Sequence, residues 1–374
     1  MRWRRRGRFA VLAALFDLTL FNVYQIVLAR VPFPDFAFFY AFGRATVTDG
    51  YQHLYDRASQ RHWDLLLFPG SPDYPIVNPP PFGALMTPFA LLPFGVAFLI
   101  WTAAMVAAIA VASQIASPPG RYFRALYLAS WLGFLPAYLV FVDAPLGPLM
   151  VLTVVAAWKL LALDRQTAAG LVLAVGLLKP TLLILVPLAL LAAGYRRAFA
   201  AWLVAAVVAV AASLAVLGPH GVASFISLSR DFAGADYYLR WSLVPLVGDG
   251  APWAVAAILI TCAVLLLALA TRHQGLEVAI SIGVMGSVLV NHHMTPGDLM
   301  ILLVPVWLLL RAPGSVARDV LVGLAWIAGW AGLIFTALVP LVAAATLAGL
   351  FVQRVLPERA RIVGAQKMAD EGAR

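Results

Sequence analysis

The chain has 374 residues, 63% of them hydrophobic and only 11% charged, with a mean hydropathy of +0.91. Charged residues make up about a quarter of a soluble domain, so this composition excludes one and predicts an all-α polytopic membrane protein. The formal charge is +9, yet the basic residues sit in short clusters between apolar runs, a pattern set by topology that predicts no nucleic-acid partner.

The Arg-rich start MRWRRRGR precedes an apolar run from Phe9 to Ala29. Its order is that of a signal peptide, but the run is long enough to span and no small-residue cleavage site follows, so it reads as an uncleaved first helix. Asp17, Asn22 and Gln25 within it are expected to make helix-packing hydrogen bonds.

Residues 31–80 form the first long polar segment, opening with VPFPDFAFFYAFG. Pro34 and Asp35 mark a helix start, and Phe36, Phe39, Tyr40 and Gly43 recur at helical spacing. A short interfacial helix is therefore predicted over 35–48, ended by an Asp49-Gly50 turn. A second is predicted over 57–68, after which FPGSPDYPIVNPPPFG returns the chain to the bilayer.

Phe82 to Leu92 is too short to cross alone, and Pro93 separates it from a full span at 94–115. Further spans are predicted at 122–141, 147–163, 167–178, 181–193, 198–217, 251–271, 276–291, 297–310, 319–335 and 337–352, about 12 in all. The two that flank Lys179-Pro180 are short enough to form a broken or re-entrant hairpin. The single cysteine, Cys262, lies in one of the apolar runs and supplies neither a disulfide nor a multi-cysteine metal site.

With the N-terminus cytoplasmic, Arg121, Arg124, Lys159, Arg165, Arg196, Arg197, Arg272, Arg311, Arg318 and the basic tail all fall on one side. Residues 1–352 thus read as one transmembrane domain with periplasmic loops at 31–80 and 218–250. Residues 353–374 read as a basic cytoplasmic tail drawn to anionic membrane lipids. The outer face collects Asp35, Lys179, the second loop and the stretch NHHMTPGD.

Two readings fit each of these polar sites. Asp35, ionised at a helix N-terminus, can accept a proton from a hydroxyl, or it can simply cap its helix. Lys179 can bind a phosphate, or snorkel from a helix end. His292 and His293 can hold a phosphate, or pack at a polar junction with Asp298 as a cap. Adjacent helical positions point about 100° apart and no cysteine or spaced carboxylate set accompanies the two histidines, so no metal is predicted there. In the second loop, Arg230, Asp231, Asp236, Tyr237, Tyr238, Arg240 and Trp241 suit a sugar, and equally an interfacial aromatic belt.

The motifs PDFAFFYAFGRA, DGYQHLYD, NPPPFGALMTPFALLPF, LLKPTLLILVPLALL and NHHMTPGDLMILLVP, in this order, resemble glycosyltransferase family 87 over most of residues 8–310. This is a GT-C type family of polyprenyl-phosphate-sugar-dependent transferases that includes mannosyltransferases. The resemblance implies a GT-C-like bundle with Asp35 as catalytic base and with Lys179 and His292 or His293 at the donor phosphate. Tyr40, Arg44, Tyr55, Asn78, Asp143, Tyr237, Arg240 and Asp298 are expected to contact substrate. It further implies a polyprenyl-phosphate sugar donor, a lipid or glycan acceptor, and a bacterial inner membrane location with both termini cytoplasmic. No cofactor or metal is expected, because polyprenyl phosphate leaves readily once its charge is neutralised. One departure stands out: Asp143-Ala144-Pro145 occupies the place of an expected Gly-Gln pair. The competing class is a transporter or flippase for a lipid-linked or small anionic substrate. Broken helices and intramembrane charges suit that class too, but there they are expected near the bilayer midplane and often in repeated halves, whereas here the polar residues favour one face and the sequence shows no convincing internal repeat.

Overall fold

The computed structural model describes residues 11, 14–24, 34–233, 239–311 and 316–352; the basic tail, Gln25, Asp236, Tyr237 and Tyr238 lie outside them. Every regular element among the described residues is helical. Helix α1 (Ala14–Tyr24) is tied to the bundle by Asn22, whose amide donates to the Leu132 carbonyl at 3.1 Å, as expected of a polar residue inside a span.

The first long polar segment folds as two short helices, α2 (Asp35–Thr48) and α3 (Arg57–Leu67), followed by α4 (Pro80–Ala90). Gly50, at φ 80°, makes the turn that the Asp49-Gly50 pair predicts. The Asp49 carboxylate then accepts hydrogen bonds from Ser59 Oγ at 2.5 Å and Trp63 Nε1 at 2.8 Å, fastening α3 to the end of α2.

Helices α5 (Phe94–Ala116) and α12 (Ala251–Ala270) are long and apolar enough to cross a membrane, as is α11 (Arg196–Ala233) over Arg196–Asp231. Only 6% of the most apolar window of α11 is buried inside the protein, so most of that surface needs lipid. Helix α6 (Arg121–Leu132) and α7 (Leu135–Val142) form a bent pair, turned by 74°, within the span expected at 122–141. With that pair, the described residues contain up to four spans by length and composition, fewer than the about 12 expected from apolar runs.

The shortfall has a physical cause in the shorter helices. Helix α8 (Gly147–Ala162), α9 (Gln166–Leu178), α10 (Leu185–Ala192), α13 (Leu276–Val290), α14 (Leu303–Arg311), α15 (Val316–Ala331) and α16 (Leu338–Val352) are each shorter than the about 20 residues of a full crossing. Proline and 3₁₀ turns interrupt several of them. The last turns of α9 are 3₁₀, Lys179 leaves helical geometry at φ −145°, ψ 72°, and Pro180–Leu182 forms another 3₁₀ turn before α10. This is the break predicted at Lys179-Pro180. Helix α13 is buried along nearly its whole length and forms the core against α10, α12 and α14.

The segment 218–250, expected as a loop, opens as helix. Gly218, at φ 60°, kinks α11 ahead of Pro219, and the helix then resumes to Ala233. Its second half packs on the 3₁₀ turn Tyr51–His53, so the segments 31–80 and 218–250 meet in space.

Candidate active site

Asp35 is the first residue of α2, after Pro34 at the N-cap, and its side chain makes no capping bond. The capping reading of Asp35 is therefore not the observed one. The cap comes from far along the chain: Asp143 Oδ1 accepts the Asp35 backbone N–H at 2.6 Å, and the Asp143 carbonyl accepts the Phe36 N–H at 3.2 Å. Asp143 ends α7, and the next residue, Ala144, is held at φ 50°, a left-handed conformation that costs an alanine about 1 kcal/mol or more. Trp101 Nε1 donates to the Ala144 carbonyl at 2.8 Å and holds that turn in place. Phe36 anchors the same end of α2 among Phe89, Phe94, Phe98 and Trp101. The Asp35 carboxyl is thus presented from a fixed helix end without being used to make that end.

It lines a cavity of about 340 Å³ together with Asn78, Lys179 and His293. That volume lies in the range of small-ligand sites, about 300–1,000 Å³. Hydroxyls of Thr181, Ser229 and Thr295 add polar groups, and Phe39 and Phe225 add aromatic walls. Lys179 is released from helical geometry by the break at Pro180, and its Nζ meets Asp298 Oδ1 at 2.6 Å. The Asp298 side chain is only 1% exposed, so the ammonium compensates a buried carboxylate. Asp298 Oδ2 also accepts the Thr295 N–H at 2.8 Å, which holds the acid in the first turn of the 3₁₀ segment Pro296–Leu302.

Two glycines bring these elements together. A methyl at Gly147, the first residue of α8, would strike the Gly297 carbonyl, and one at Gly297 would strike the Pro145 ring. The turn that carries Asp143 and the turn that carries Asp298 therefore touch, with no side chain between them.

Burial raises the pKa of Asp35 well above the ordinary 3.8. The Asp143 carboxylate raises it further, the Lys179 ammonium opposes the shift, and Asp298 adds to it. This reverses the expectation that a helix N-terminus would favour the charged form. It makes Asp35 a stronger proton acceptor once ionised.

Six of the expected site residues are brought together: Asp35, Asn78, Lys179 and His293 on the cavity, Asp143 behind Asp35, and Asp298 behind Lys179. The paired histidines divide. His293 reaches the cavity, while His292 Nε2 lies 2.9 Å from Asp249 Oδ1 and its ring packs edge-on to Trp253. Tyr40 and Arg44 do not line it: they bond the Leu92 and Ala90 carbonyls and serve the packing of α2. Tyr55 acts one step back, donating to the Asn78 carbonyl at 2.5 Å and packing on Phe225. Arg240 is not on the cavity. Thr181, Ser229 and Thr295 are cavity residues that the sequence does not single out. Thr181 and Thr295 lie inside the stretches LLKPTLLILVPLALL and NHHMTPGD and Ser229 inside 218–250, so the available signal is membership of those stretches.

Residues 77–291 match the family model of glycosyltransferase family 87. The chain belongs to that family. It is accordingly a multi-pass membrane glycosyltransferase, which excludes soluble function classes as the composition did. No curated protein and no solved structure matches it. The match to glycosyltransferase family 87 is narrower than the resemblance over 8–310; it includes Asn78, Asp143 and Lys179, follows Asp35, and ends just before His292.

Proposed function

We propose that the protein transfers a sugar, a mannose-like hexose or a pentose, from a polyprenyl-phosphate donor to a lipid or polysaccharide acceptor at the outer face of the inner membrane. The observation that carries this reading is that the Asp35 carboxyl and the Lys179 ammonium line one cavity. An acid and a cation on one small space match the two charges that the reaction develops.

In the proposed step the acceptor hydroxyl oxygen attacks the anomeric carbon while its proton passes to the Asp35 carboxylate. The bond from that carbon to the phosphate oxygen breaks, and its electron pair leaves with the polyprenyl phosphate. One displacement of this kind inverts the anomeric centre. Lys179 has three N–H donors, of which Asp298 takes one, so two remain for phosphate oxygens. His293 stands on the same cavity as a further donor. Phe39 and Phe225 offer ring faces for the apolar side of a sugar, and Asn78 offers an amide for its hydroxyls.

The test is Asp35→Asn in purified protein supplied with a synthetic polyprenyl-phosphate sugar. Transfer is expected to be abolished with expression and melting unchanged. Full activity in that variant would remove Asp35 from the role of base.

A further inference from the structure

Outside the cavity, three ligating side chains from two distant parts of the chain converge. His53 ends the 3₁₀ turn Tyr51–His53, Asp56 is the N-cap residue of α3, and His220 follows the Gly218-Pro219 kink of α11. His53 Nδ1 lies 2.8 Å from Asp56 Oδ2, and His220 Nε2 lies 3.0 Å from the same carboxylate, across 164 residues of sequence. One ligand atom from each lies within 4.8 Å of the others. None of the three lines the cavity.

We propose that His53, Asp56 and His220 bind one zinc-like divalent cation, which clamps the second half of α11 to the first long polar segment. Two imidazoles and a carboxylate are a nitrogen-rich donor set, suited to zinc and poorly suited to magnesium or calcium. Tetrahedral zinc, with bonds of about 2.0–2.1 Å, asks for ligand atoms about 3.3 Å apart. The two close contacts, at 2.8 and 3.0 Å, fall a few tenths of an ångström short of that spacing, and both imidazole side chains are more than half exposed, at 53% and 58%, so their torsions can adjust. Ser224 Oγ donates to Asp56 Oδ1 at 2.6 Å, an outer hydrogen bond of the kind that orients a ligating carboxylate. A fourth position is left for water.

Such an ion has a structural consequence for the cavity wall. Phe225 and Ser229, on the same half of α11 as His220 and Ser224, face the cavity. Tyr55, two residues after His53, packs on Phe225 with ring centroids 4.8 Å apart and holds the Asn78 carbonyl. Binding at the His53 end therefore fixes both sides of that wall without touching the reacting atoms.

The experiment uses full-length protein in detergent, purified on a tag without histidine, stripped with chelator and titrated with zinc. Metal content and melting temperature are the readouts, so the result is independent of any transfer activity. One equivalent is expected to bind with a rise in melting temperature, and magnesium or calcium at the same concentration is expected to give no rise. The His53→Ala/His220→Ala double variant is expected to lose both effects, with Asp56→Asn weakening them. Absence of saturable binding overturns the proposal. So does binding that survives in the double variant and disappears in His292→Ala, which would move the ion to the other histidine pair.

Discussion

Asp143 makes two contributions to Asp35 that chemistry can separate. Its Oδ1 caps the first turn of α2 at 2.6 Å, and its negative charge raises the pKa of Asp35. Alanine at a capping position costs about 0.5–2 kcal/mol, and burial of this carboxylate places Asp143→Ala near the upper end, about 2 kcal/mol. That is roughly a thirty-fold loss in the correctly formed helix end. Asp143→Asn keeps an oxygen in the capping position and removes the charge. Its melting temperature should therefore stay close to wild type while that of the alanine variant falls. The pH profile moves in both variants. Asp35 must be ionised to take a proton, so activity is lost as pH falls through its raised pKa, and the acid limb of wild type should lie above the ordinary carboxylate range. Burial pushes Asp143 itself up to about 6, so its charge is present on the neutral side of that limb. Removing that charge lowers the pKa of Asp35 and shifts the acid limb to lower pH. The assay is kcat/KM for sugar transfer against pH, beside thermal melting in detergent. An unmoved acid limb in Asp143→Asn would refute the electrostatic coupling, and an asparagine variant as unstable as alanine would refute the cap.

Other substitutions test the supporting geometry. Gly147→Ala drives a methyl into the Gly297 carbonyl and should cost about 1–3 kcal/mol. Melting and transfer should fall together, and a variant with unchanged melting would deny the close approach. Lys179→Met leaves the Asp298 carboxylate buried without its cation, at a cost of about 3–5 kcal/mol. Adding Asp298→Asn should restore melting without restoring transfer; recovery of transfer in that double variant would show that the ammonium serves only the fold. His293→Ala should raise the donor KM more than His292→Ala does, because only His293 reaches the cavity. Equal effects would remove that distinction.

What the sequence makes legible here is local. The boundaries of α2 and the start of α5 follow from Pro34, the Asp49-Gly50 turn and Pro93, because proline and glycine act on their own backbone and need no partner. The break at Lys179-Pro180 is legible for the same reason. The second half of α11 is not. Gly218-Pro219 reads as an end, and the helix restarts because its polar half has a surface to pack on, the Tyr51–His53 turn, that only the folded chain supplies. Span counting from hydropathy meets a related limit. The apolar run 276–291 reads as a crossing, and α13 is a 15-residue helix enclosed by other helices, where burial in protein calls for the same side chains as burial in lipid.

The acids show why site residues are harder to read than helices. Asp35, Asp143 and Asp298 are identical side chains, each next to a proline- or glycine-containing turn; Asp35 stands out by its place at a helix start, Asp298 reads as a cap, and Asp143 is a candidate only through the family resemblance. Their partners distinguish them, and those partners lie 108 and 119 residues away. Asp298 is committed to Lys179 and to the Thr295 N–H, and Asp143 to the start of α2. Asp35 makes no capping bond and faces the cavity, so it is the one of the three whose carboxyl is left for a ligand. On the proposed mechanism this division is the chemical requirement. A base needs a raised pKa and an open side, and the acids that raise it must be tied down so that they do not take the proton themselves.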